Sequence, residues 1–179
     1  MNRRTLLLGS AAAIAIGSTG AYWLRSGSAL DASDQADSEL NDFGDAYEIE
    51  LSEAEWRERL TENQFLVLRE EKTETPFTSP LNNETRDGTY HCAGCNLPVY
   101  ASETKYDSQT GWPSFWQAID DAIRIKPDNA LFIPRTEVHC RRCKGHLGHI
   151  FDDGPDPTGE RHCLNGLALR FEPAGGNAV

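Results

Sequence analysis

Cys92-Ala93-Gly94-Cys95 and Cys140-Arg141-Arg142-Cys143-Lys144-Gly145 are two C-x-x-C turns set far apart in one chain, and their reading decides what fold the chain can adopt. Each turn holds two sulfurs a few ångströms apart. Two such turns brought together supply the four thiolates of a tetrahedral structural zinc. The competing reading is disulfides, but a C-x-x-C disulfide closes so short a loop that it adds little stability. Four thiolates on one metal instead clip together everything between the turns, so the spacing favours zinc, with iron as the other metal a tetrahedral sulfur site accepts. The small and basic residues around the turns suit a cage that is formally dianionic. Four of the five cysteines are thereby used, and Cys163, in Arg161-His162-Cys163-Leu164-Asn165, has no partner.

Outward from these turns, the chain beyond Gly88 consists of short runs rich in β-formers. They cover Thr89 to His91, Leu97 to Tyr100, Ser114 to Trp116, Ala122 to Ile125, Ala130 to Ile133, Glu137 to His139, His149 to Phe151 and Ala168 to Phe171. Turn signals such as Pro127-Asp128-Asn129 and Asp152-Asp153-Gly154-Pro155 separate them, which predicts antiparallel sheet. Upstream, Ser52-Glu53-Ala54-Glu55 and Thr61-Glu62-Asn63-Gln64 are capping-box patterns ahead of apolar residues at helical spacing, so two short helices lead into the sheet.

The N-terminus, Asn2-Arg3-Arg4-Thr5 followed by an apolar Ala-, Ile- and Gly-containing run to Leu24, resembles a twin-arginine export signal. Ser26-Gly27-Ser28 offers small residues for cleavage; an uncleaved membrane anchor is the alternative fate of the same run. The expected organisation is a signal or anchor over 1–30, an acidic flexible linker over 31–48, a folded domain over 49–173 and a tail over 174–179. The location that follows is periplasmic. At a formal net charge of −11, with ten acids and no base between Asp31 and Glu55, the chain is a poor partner for nucleic acid. Arg141, Arg142 and Lys144 form the one small basic cluster, which as a solvated loop needs no partner.

Around Cys163 the residue types favour chemistry. A cationic Arg161 two residues away promotes thiolate over thiol, and the histidines of Gly145-His146-Leu147-Gly148-His149 can donate protons. The bland alternative is a buried free cysteine with histidines lying around the metal.

Taken together, Gly111-Trp112-Pro113-Ser114-Phe115, His146-Leu147-Gly148-His149, Asp153-Gly154-Pro155 and Arg161-His162-Cys163-Leu164-Asn165, in this order among the C-x-x-C pairs, resemble the methionine-R-sulfoxide reductase B family. The resemblance runs from about Ser52 to Phe171. It implies a mainly β fold of two antiparallel sheets with short N-terminal helices and one structural zinc on Cys92, Cys95, Cys140 and Cys143. It implies reduction of the R epimer of oxidised methionine in proteins or peptides. On that pattern Cys163 attacks the sulfoxide sulfur, and His149 and His146 bind or protonate its oxygen. Arg161, held by Asp153, lowers the thiol pKa, and Asn165 orients substrate or histidines. Trp112 presents its indole to the ε-methyl group, and Phe151 completes that apolar wall.

Two positions depart from the family pattern. Thr110 stands where many members carry a resolving cysteine just before the Gly-Trp-Pro-Ser-Phe motif, so an external thiol must reduce the oxidised Cys163. Thioredoxin is the donor the family suggests, or a thioredoxin-like periplasmic dithiol if the protein is exported. Gly166-Leu167-Ala168 replaces a serine-containing version. The expected form is a monomer that meets a membrane only through an uncleaved leader. The rival function is a non-catalytic, zinc-stabilised β-domain binding module, which has no use for a thiolate.

Overall fold

Ser52 opens α1 (Glu53–Arg59) and Thr61 opens α2 (Glu62–Glu70) in a computed structural model that describes residues 47–129 and 134–175. Both capping boxes form as the sequence predicts: the Glu55 carboxylate accepts from the Ser52 N–H at 2.8 Å, and Gln64 Oε1 accepts from the Thr61 N–H at 3.1 Å. Each box satisfies amides that a helix start leaves unpaired. Trp56 of α1 and Phe65, Val67 and Leu68 of α2 are buried. Arg69 closes the end of α2 onto the rest of the fold, its guanidinium 4.8 Å from the Trp56 ring and its Nη1 donating to the Cys143 carbonyl at 2.8 Å.

The strands are β1 (Gly88–Cys92), β2 (Pro98–Ala101), β3 (Lys105–Tyr106), β4 (Ser114–Phe115), β5 (Ile123–Asp128), β6 (Arg135–Cys140), β7 (His146–Phe151), β8 (Arg161–Leu164) and β9 (Leu169–Pro173). They form two antiparallel sheets, one of three strands in the order β2-β1-β9 and one of six in the order β3-β4-β8-β7-β6-β5. Tyr90, Tyr100, Phe115 and Phe171 are fully or almost fully buried and join the sheets through ring contacts, with centroids 4.6 to 4.9 Å apart.

Several expectations are corrected. The acidic linker was to run to residue 48, yet Tyr47 and Glu48 already belong to the fold. Tyr47 Oη meets His139 Nε2 at 3.2 Å, and the Glu48 carboxylate pairs with Arg141 at 2.5 Å and Arg142 at 3.1 Å, so the basic cluster is engaged rather than merely solvated. β5 runs straight through the expected turn at Pro127 and Asp128. It lies at the sheet's edge, where a proline's missing N–H need not break the ladder. β8, which carries Cys163, had no strand signal of its own; its Arg-His pair is stabilised by sheet neighbours on both sides. The leader, residues 31–46 of the linker, the strand expected over 130–133 and the last four residues lie outside the described residues.

Candidate active site

Register builds this site. Ser114 of β4, Cys163 of β8, His149 of β7 and Glu137 of β6 are successive cross-strand partners, so their side chains share one row on one sheet face. The next row pairs Arg161 with Phe151, on the same face two residues along each strand. Gly148 allows β7 and β8 to lie this close: a Cβ there would fall 2.1 Å from the Cys163 carbonyl oxygen. An irregularity between Val138 and His139 breaks the alternation and brings His146 beside Glu137.

This face lines a half-open cavity of about 130 Å³ whose wall includes Cys163, His149, Phe151, Trp112, Asn165 and Arg135. Thr110 Oγ1 is 3.9 Å from Cys163 Sγ and joins Ser108, which also meets Ser114 at 2.6 Å. Arg161 is gripped by Asp153 through two bonds, at 2.7 and 2.9 Å, while its guanidinium lies 4.4 Å from the centre of the Phe151 ring. Burial pushes the Cys163 thiol above its ordinary range; the Thr110 hydroxyl and the Arg161 charge pull the other way and are outweighed. The Arg161 charge acts on the thiol in the thiolate-favouring direction. Burial nevertheless outweighs it, so the net shift is toward the thiol.

The two histidines occupy different places. His149 faces the cavity, and its Nε2 meets Asp128 at 2.9 Å. Burial holds it below the ordinary imidazole range although Asp128 opposes the change. His146 is 2% exposed and lies behind His149, with ring centroids 5.3 Å apart. Its Nδ1 meets Glu137 at 3.0 Å, and Lys126 balances the other carboxylate oxygen at 2.8 Å. Asn165 lines the cavity, but its amide is committed to backbone: Oδ1 accepts from the Glu74 N–H at 2.9 Å and Nδ2 donates to the Leu147 carbonyl at 3.2 Å. Its amide ties the Glu74 and Leu147 backbones together at the cavity wall.

Glu74 was missed by the sequence reading. Its N–H holds Asn165, its carbonyl accepts from Trp112 Nε1 at 3.1 Å, and its buried carboxylate accepts from the Gly166 and Leu167 N–H groups at 2.6 and 2.9 Å. One residue thus ties two parts of the cavity wall, Trp112 and Asn165, to the adjoining Gly166-Leu167 backbone. Burial raises its carboxyl above the usual range. Arg135, Asp128 and Glu137 were missed as well. Arg135 and Glu137 stand at alternate positions of β6, a period-2 cue that becomes readable only once the strand and its face are known.

The four remaining cysteines converge with all sulfurs within 4.8 Å of one another. Cys92 and Cys143 are 3.7 Å apart and Cys95 and Cys140 are 3.5 Å apart. A disulfide needs about 2.05 Å. A tetrahedron with metal–sulfur bonds of about 2.3 Å has edges of about 3.8 Å, so these sulfurs fit a metal cage. Among thiols packed so closely the hydrogen bond with Cys140 holds Cys95 down and pushes Cys92 up.

A thiol that shares a sheet face with His149 and Arg161, on a β scaffold where four other cysteines lie close enough to bind a metal, is an arrangement that suits thiol chemistry. The SelR-domain family model matches residues 60–173. Peptide methionine sulfoxide reductase MsrB of Agrobacterium fabrum is 47% identical over 126 residues, 70% of this chain and 93% of that protein. Methionine-R-sulfoxide reductase B2, mitochondrial, of Rattus norvegicus is 46% identical over 134 residues, 70% of this chain and 77% of that protein. Peptide methionine sulfoxide reductase B1, chloroplastic, of Oryza sativa subsp. japonica is 47% identical over 127 residues, and there the match spans 59% of the relative's length. The chain belongs to the methionine-R-sulfoxide reductase B family of oxidoreductases.

Proposed function

We propose that this protein reduces methionine-R-sulfoxide in polypeptides to methionine, with Cys163 as nucleophile and an external thiol as reductant. The observation that carries this reading is the single row in which Cys163 faces His149 inside a cavity walled by Trp112 and Phe151. Cys163 Sγ attacks the sulfoxide sulfur while the oxygen takes up a proton. The S–O bond then breaks with its oxygen leaving as hydroxide, which adds to Cys163 Sγ as the new sulfur–sulfur bond breaks, so methionine departs with that electron pair and a sulfenic acid stays on Cys163. Sulfur of the substrate is reduced, sulfur of the enzyme is oxidised, and the thiol's own proton balances the step. His149 is the group placed to pass that proton, with Asp128 on its Nε2 fixing which nitrogen faces the cavity. Arg161 stabilises the thiolate as it forms, and His146 with Glu137 backs His149.

The chain has five cysteines and four converge at the metal site, so none is left to resolve the sulfenic acid internally. One donor thiol forms a mixed disulfide and releases water; a second frees Cys163. Thioredoxin, or a thioredoxin-like periplasmic dithiol if the leader exports the chain, is the donor in this scheme. Cys92, Cys95, Cys140 and Cys143 hold zinc, which supplies a structural cross-link between β1 and the β6–β7 connection.

The test is reduction of separated R and S epimers of a blocked methionine sulfoxide by the zinc-loaded full chain, with dithiothreitol as reductant and Cys163→Ser alongside. Turnover of R alone, lost in the variant, is the expected result. No turnover of either epimer overturns the reading and leaves a binding module.

A further inference from the structure

Phe77 is 72% exposed, more than the other exposed large apolar residue of the described fold, Ile125. Its backbone lies in the left-handed region at φ 64°, which an aromatic residue rarely adopts. Such strain persists only where the surroundings enforce it. Here the Phe77 N–H donates to the Gly111 carbonyl at 2.8 Å, Asn82 Nδ2 donates to the same oxygen at 3.0 Å, and Thr78 Oγ1 donates to the Thr75 carbonyl at 2.7 Å. The ring is therefore held out in water by a fixed loop.

Its place is informative. A Cβ on Gly111 would lie 3.1 Å from Phe77 Cδ2, so the ring packs over the backbone between Thr110, which faces Cys163, and Trp112, which walls the cavity. Thr73, four residues upstream, lines the same cavity. At about 130 Å³ that cavity is on the scale of one side chain. A polypeptide substrate must therefore lay its main chain and neighbouring residues across the rim. The rim is uncharged where Phe77 stands: Thr73, Thr75, Pro76, Phe77 and Thr78 are all exposed, in a chain of net charge −11. A ring fixed on the backbone that joins Thr110 to Trp112 stands where the neighbours of a residue in the cavity would pass.

We infer that Phe77 receives an apolar side chain next to the methionine sulfoxide of an extended polypeptide substrate. The inference rests on the reductase reading and names the kind of polypeptide that reading would prefer. Phe77→Gly and Phe77→Asn remove the ring and put in residues that tolerate the left-handed backbone. Both full-length variants are assayed with dithiothreitol on two probes: N-acetyl-methionine-R-sulfoxide methylamide, and the same residue flanked by leucine on each side in a blocked peptide. The expected result is a fall of about five- to tenfold in kcat/KM for the leucine-flanked probe, from the lost apolar contact. The single-residue probe, too short to reach Phe77, stays within about twofold and reports that the variants are folded. Equal falls on both probes mean that the ring shapes the cavity, and they overturn the inference. So does no fall on either, or a deficit that appears only when thioredoxin replaces dithiothreitol. Failure of the unsubstituted protein on both probes is a different result, which removes the reductase reading and this inference with it.

Discussion

The four-cysteine knuckle and the Cys163 cavity lie in one fold and use the same side chain for opposite ends. At the knuckle four sulfurs stand within 4.8 Å of one another, so ionising one is helped by hydrogen bonds from the rest and the set suits a metal. At the cavity one sulfur faces a hydroxyl, an arginine and a histidine, and burial pushes its pKa up against the pull of the hydroxyl and the arginine. On the proposed reading, what separates a ligand from a nucleophile is the company the sulfur keeps: other thiols make a clip, and a balance of burial against one cation makes a reagent.

If that contrast is right, serine at the two places breaks different things. Cys163→Ser removes the attacking thiolate and lowers turnover by about a thousandfold or more, while zinc content and the thermal transition stay as in the parent. Cys95→Ser does the reverse in order of cause: zinc falls from one per chain toward none and the domain loses several kcal/mol of stability, roughly the scale of a lost structural metal. Metal analysis with circular dichroism melting separates the two. A zinc-free, stably folded and active Cys95→Ser protein would contradict the structural role of the knuckle.

The knuckle was legible from sequence because its information is local: two residues between cysteines set the geometry of each turn, and only the meeting of the turns required the fold. The capping boxes of α1 and α2 were legible for the same reason. The cavity was legible in part. Short motifs named Cys163, His149, Arg161, Asp153, Trp112 and Phe151, and the structure brings all of these to one side of the molecule. Glu74 was invisible because its role is made of main-chain bonds to Trp112, Asn165, Gly166 and Leu167, which no spacing announces. The β8 strand was hidden because its stability comes from β4 and β7, whose pairing is non-local. Asp128 was read as a turn because Pro127 looked like punctuation, whereas the edge of a sheet accommodates it.

The balance at Cys163 is sharpened by pH. Its pKa is raised, so the attacking thiolate is the minor form at neutral pH, and kcat/KM climbs as pH rises from about 7 to about 9, toward the thiol's ionisation. Arg161 opposes the rise. Arg161→Met therefore moves the limb to higher pH and, by leaving less thiolate, lowers the rate at neutral pH by about tenfold. Asp153 acts with the opposite sign on the same sulfur, so Asp153→Asn moves the limb to lower pH provided Arg161 stays in place. Two opposite displacements identify electrostatics as the cause. Two displacements in one direction identify Asp153 as the clamp that positions Arg161.

The smallest expected effect on rate, and the sharpest on the comparison, is to give Cys163 a thiol neighbour of its own. Thr110 Oγ1 already lies 3.9 Å from Cys163 Sγ, and a sulfur at that position reaches further than a hydroxyl oxygen because its bond to Cβ is longer. Thr110→Cys thus places a second thiol where a sulfenic acid on Cys163 can condense with it, releasing water and closing a disulfide of about 2.05 Å. One turnover without reductant should leave the variant two hydrogens lighter than its reduced form in intact-mass analysis. The parent instead carries one added oxygen. Turnover with dithiothreitol should change by only about twofold, since the donor then attacks a disulfide in place of a sulfenic acid. A variant that gains oxygen and forms no disulfide shows that the Gly111 backbone, fixed under Phe77, keeps position 110 from closing the last distance. In that case the isolation of Cys163 is enforced by the fold and not only by the identity of residue 110.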